Sequence, residues 1–124
     1  MEDSQLRQYA ADIKANNQEK GWYDDDRTFG DEIALIHSEL SEALEAYRDG
    51  GFQDQTRYFE GEGMEFQLNP NPNPKPEGVG AELADVLIRL LDTAYRHGID
   101  LDGEMDRKMA YNRTRPYRHG GKLL

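Results

Sequence analysis

Apolar residues recur at helical spacing in four stretches of this chain, separated by segments that cannot continue a helix. In the first, about Ser4 to Glu19, Leu6, Tyr9, Ala10 and Ile13 share a face and Ser4 stands where an N-cap belongs. "NNQEKGWYDDDR" ends that pattern. The second begins near Phe29, where Thr28 and Asp31 form the spacing of a capping box, and stops at Asp49-Gly50-Gly51, where a glycine can take the left-handed cap. The third runs from about Val79 to His97 and ends at Gly98. The fourth follows Asp100, another candidate N-cap, and reaches about Arg113, with Pro116 as its limit. The pattern predicts an all-α fold, a bundle of about four helices forming a single domain over residues 1–124, with residues 115–124 as a tail.

The stretch 49–80 breaks the helical pattern and reads as an insertion between the second and third helices. "NPNPNPKPEG" has too many prolines for a helix and is expected to be extended and solvated. Before it, "TRYFEGEGMEFQL" alternates weakly around a glycine-rich centre, which fits either a small β-hairpin turning at Gly61-Glu62-Gly63 or an irregular loop.

Helical phase makes the second helix unusual. With Ile36 set at zero and ~100° per residue, Phe29, Ile33, Leu40, Ala43, Leu44 and Tyr47 gather on or near one side, and Leu35 and Ala46 extend the apolar arc to about −100°. Glu39 falls near −60°, inside that arc, Glu42 near −120°, at its border, and Glu45 near 180°, in solvent. A carboxylate on the buried side is costly unless paired, protonated or bound to a cation. The third helix carries a comparable doublet, Glu82 and Asp85, beside the apolar face of Leu83, Val86, Leu87, Leu90, Leu91 and Ala94. Arg89 lies between these two acids in projection and offers Asp85 an i,i+4 partner, so that doublet also reads as a solvated face. Two helices packed antiparallel would bring all four carboxylates together, and Mg²⁺ would turn such a cluster into a phosphate-handling site. The histidine-containing alternative, a di-iron bundle, requires Glu-x-x-His; none of His37, His97 and His119 follows a glutamate by three. On the fourth helix Lys108, Asn112 and Arg115 stand at i, i+4 and i+7, a stripe of donors for phosphate oxygens if the helix extends that far. Trp22, Tyr23 and Tyr111 are candidate stacking surfaces for a base.

Composition narrows the partners. A net charge of −10 opposes binding to nucleic-acid polymers. No apolar run approaches the ~18 residues of a membrane span, and the N-terminus lacks the apolar core of a signal peptide. With no cysteine there is neither a disulfide framework nor thiolate chemistry. The expectation is a cytoplasmic chain. Only 36% of residues are hydrophobic, so a domain of 124 residues is expected to complete its core by forming a homo-oligomer.

"ELSE" (Glu39, Glu42), then "ELAD" (Glu82, Asp85), "GIDL" and "KMAYNRTRP" together resemble the MazG-like nucleotide pyrophosphohydrolases of the all-α NTP pyrophosphohydrolase superfamily, whose signature is E-x-x-E followed by E-x-x-D. The small, phage-type branch is the most similar, over most of residues 28–122. The segment between the two acid motifs is longer here than the family's usual connection. The resemblance implies a helical protomer assembled as a homodimer or homotetramer. It implies Mg²⁺-dependent hydrolysis of a nucleoside triphosphate to the monophosphate and pyrophosphate, with Mn²⁺ as a substitute, in nucleotide-pool house-cleaning. Glu39, Glu42, Glu82 and Asp85 then become metal ligands, Glu39 or Glu42 a general base, and Lys108 and Asn112 contacts to phosphate or sugar. Two other readings keep the scaffold: a non-catalytic oligomeric interaction module, and a pyrophosphohydrolase acting on phosphoribosyl-ATP.

Overall fold

The computed structural model describes residues 4–52, 57–59 and 73–124. They are mostly helical: α1 (Gln5–Glu19), α2 (Phe29–Gly50), α3 (Val79–Arg96), α4 (Leu101–Thr114) and a four-residue α5 (Arg118–Gly121), with two short strands, β1 (Arg57–Phe59) and β2 (Lys75–Glu77). They divide into two compact units. One joins the chain up to Asp24 to Leu91–Leu124; the other is Asp25–Leu90. No described helix is long and apolar enough to cross a membrane.

The helix ends follow local chemistry. The Ser4 hydroxyl oxygen accepts the Arg7 N–H at 3.2 Å and caps α1. At α2 the capping box is complete: Thr28 Oγ1 accepts the Asp31 N–H and Asp31 Oδ2 accepts the Thr28 N–H, each at 3.0 Å. Gly51, at φ +61 and ψ −156, ends that helix in a conformation that a side chain would oppose. Asp100 caps α4 by accepting the Gly103 N–H at 3.3 Å. Of the sequence-predicted tail, residues 118–121 form α5, within which His119 and Gly120 are left-handed.

β1 pairs antiparallel with β2, Tyr58 opposite Pro76, so the strand partner of 57–59 is the Lys-Pro-Glu end of the proline-rich run. The expected turn at Gly61-Glu62-Gly63 lies outside the described residues.

Among the described residues, the buried apolar side chains of the 25–90 unit are Ile36, Ala43, Val79 and Val86; in the other unit they are Leu91 and Ala94. Much of the apolar faces stays open. On α2, Leu40, Leu44 and Tyr47 are each about half exposed, and on α3 so are Leu83, Leu87 and Leu90. Both sets run i, i+4, i+7, one continuous stripe per helix.

Polar contacts bind the other unit. The Ser4 hydroxyl donates to Asp102, and Arg7 reaches Asp100 and Asp102, each at 3.3 Å, tying the start of α1 to the start of α4. The Tyr23 hydroxyl donates to Asp92 at 2.5 Å. Arg96 donates to the same carboxylate at 3.0 Å and stacks 4.0 Å above the Tyr23 ring. Burial, and then the hydrogen bond and charge of Asp92, push the Tyr23 phenol up to about 12. The folded chain therefore holds the phenolic proton more tightly than the unfolded chain does. That contribution is complete below the ordinary phenol value of about 10 and fades as pH rises towards 12. Wild type should exceed Tyr23→Phe in stability by about 1 kcal/mol at neutral pH, and the gap should close across that alkaline window. Urea unfolding of both proteins along a pH series measures it; a gap independent of pH would mean that Tyr23 ionises alike in both states.

Candidate metal centre

Residues on α2 and the first half of α3, all within the 25–90 unit, assemble the acidic site. The phase of α2 sets the environment of each glutamate. Glu39 is buried, 9% exposed, whereas Glu42 and Glu45 are exposed. Glu82, in the first turn of α3, is half-buried. One carboxylate oxygen from each of Glu39, Glu42 and Glu82 can be chosen so that all three lie within 4.8 Å of one another. Asp85 stands beside this group. It shares a hydrogen bond with Glu82 and feels the charge of Glu39.

Crowding of like charge shows in the acidities. Burial, followed by the charges of Asp85 and Glu42, raises the Glu82 carboxyl above the usual range, with Lys75 pulling the other way. Burial and then Glu39 raise Asp85, against Lys75 and Arg89. The cation in closest contact is Arg89, whose Nε donates to Glu39 Oε1 at 2.7 Å. The i,i+4 pattern pointed to Asp85 as the partner of Arg89; the direct bond runs across to α2 instead, and only a longer-range pull on Asp85 remains.

Three features escaped the sequence reading. Glu32, one heptad before Glu39, is 5% exposed. The same helical projection places it near −40°, so the signal was present. Lys75 enters on β2, whose pairing with β1 no local pattern announces. Arg89 reaches Glu39 because of how α2 and α3 pack.

The expected substrate residues belong to the other unit. Lys108 Nζ lies 5.9 Å from the centre of the Tyr111 ring and Arg115 5.7 Å from it, so two cations flank one exposed aromatic. Asn112 is exposed on α4. The stripe does not continue helically to Arg115. That residue is the C-cap, extended at φ −76 and ψ 145, because it precedes Pro116 and proline disfavours helical geometry before it. Trp22 is 57% exposed, and its carbonyl accepts from Arg96 at 3.3 Å. The chain matches no protein-family model, no curated protein and no solved structure.

All three converging groups are carboxylates, donors that suit hard divalent cations better than softer metals. The raised pKa values carry a stability consequence. A carboxyl raised in the fold stabilises below its unfolded value and loses that stabilisation as pH rises through the folded one, so at neutral pH charged Glu82 weakens the metal-free protein. Glu82→Gln should raise its stability by about 0.2–0.5 kcal/mol, the size of an exposed like-charge repulsion screened by solvent. The same change should remove any rise in melting temperature that Mg²⁺ gives wild type. Scanning calorimetry with and without Mg²⁺ checks both; a destabilised variant that still responds to Mg²⁺ would contradict this view of the cluster.

Proposed function

We propose that this protein is a MazG-like, Mg²⁺-dependent nucleoside triphosphate pyrophosphohydrolase that releases a monophosphate and pyrophosphate. The observation that supports the reading most is the convergence of Glu39, Glu42 and Glu82 from the two motifs that resemble the family signature. Surface acids often cluster without any ion. Here one member is buried on the apolar side of its helix, where an acid serves no solvation purpose.

Glu39, Glu42 and Glu82 would hold the cation, with Asp85 completing the set. Bound Mg²⁺ supplies charge neutralisation for the triphosphate and a more acidic water. Glu39 or Glu42 would accept the proton of the attacking water, Glu42 being the more exposed of the two. In the other unit, Lys108 and Asn112, which the resemblance assigns to phosphate or sugar, and Arg115 are donors that suit such oxygens. Trp22 offers a face for the base. An acidic protein accepts this anionic substrate because the cation reverses the local charge.

The decisive assay is incubation with a panel of canonical and modified NTPs and dNTPs, scored for pyrophosphate against phosphate. Wild type should release pyrophosphate with Mg²⁺ or Mn²⁺ and none in EDTA. Glu39→Gln should lower turnover by at least about a hundredfold, on the scale of losing a charge-stabilising group, while Glu45→Gln changes little. Turnover that survives exhaustive chelation, or equal losses in the two variants, would sink the proposal.

The half-exposed stripes of α2 and α3 support a homodimer or homotetramer as the working form. Sedimentation at micromolar concentration should show at least a dimer, and Leu44→Glu with Leu87→Glu should shift it towards monomer. A wild-type monomer at that concentration would refute the assembly.

A further inference from the structure

Arg89 brings a permanent positive charge onto the carboxylate that the proposed cation also needs. Its Nε is 2.7 Å from Glu39 Oε1, the Glu39 side chain is 11% exposed and that of Arg89 37%. An arginine cannot leave such a pair by losing its proton, so a change of partner requires the guanidinium to move. The partial exposure gives it a way out without displacing either helix.

We propose that Arg89 is an exchangeable counter-ion of the acidic site: it neutralises Glu39 in the metal-free protein and gives that carboxylate up to an arriving divalent cation. This rests on the reading of the cluster as a metal site. The charges favour exchange over coexistence, because a divalent ion on Glu39 would stand against a guanidinium bonded to the same carboxylate. Exchange also explains how a buried glutamate stays paired when no cation is bound. A fixed positioning role for Arg89 predicts the opposite sign, since removing a residue that orients a ligand weakens metal binding.

Mn²⁺ titration of the full chain without nucleotide, by calorimetry, separates the two. Arg89→Gln should bind Mn²⁺ about fivefold more tightly than wild type, the factor equivalent to losing a competing ion pair of roughly 1 kcal/mol. Arg89→Lys, which keeps the charge, should stay near wild type. Equal or weaker binding by Arg89→Gln overturns the exchange. If neither wild type nor Arg89→Gln binds Mn²⁺, the metal-site reading falls and takes the exchange with it. A readout in wild type does not depend on the variants folding. The Arg89 Nε–H resonance, slowed in hydrogen exchange by its bond to Glu39, should shift and lose protection as Mg²⁺ saturates the protein; a resonance unchanged at saturation also overturns the proposal.

Discussion

Electrostatic crowding on the facing sides of α2 and α3 is the constraint around which the 25–90 unit is built. Glu39 is buried, Glu42 and Glu82 converge on it, and Asp85 stands close enough for Glu39 to raise its pKa. Left alone, such a group repels itself. Arg89 and Lys75 offset part of the repulsion, Arg89 by direct contact and Lys75 at longer range. A helix pair selected only for stability would carry apolar residues at the Glu39 position, as Ile36 and Ala43 do on the same face. An all-carboxylate donor set is the kind that hard divalent cations select, which is why the ligand proposed for it is one.

The small sheet acquires a role in that light. β1 and β2 leave Lys75 just before α3, and its charge pulls the pKa values of both Glu82 and Asp85 down. The segment between the two acid motifs thus contributes to the electrostatics of the acidic cluster. A chain of net charge −10 has few cations to spare, and two of them are placed here.

Local rules made much of this legible in advance. Ser4, the Thr28–Asp31 box, Asp100 and Gly51 each fix a helix end through bonds within a few residues, so the four long helices could be read almost to the residue. Helical phase distinguished buried Glu39 from exposed Glu45, because the angle depends on α2 alone. Long-range pairing was not legible. Nothing near Tyr58 announces Pro76, and nothing near Arg89 announces Glu39; both depend on elements meeting in space. Arg115 is a different case: Pro116 was visible, and the restriction on the residue before a proline already argued against a helical stripe that far. The exposed stripe of Leu40, Leu44 and Tyr47 was read as core from its phase, and the single chain covers only part of that face.

The central claim is that Glu39, Glu42 and Glu82 form a divalent-cation site. Crystals grown with millimolar Mn²⁺ and measured at a wavelength where manganese scatters anomalously test it directly. The account predicts an anomalous peak within coordinating distance of carboxylate oxygens from all three residues, absent from crystals of Glu39→Gln. No peak at that position in well-ordered wild-type crystals, or a peak bound by other residues instead, would contradict it.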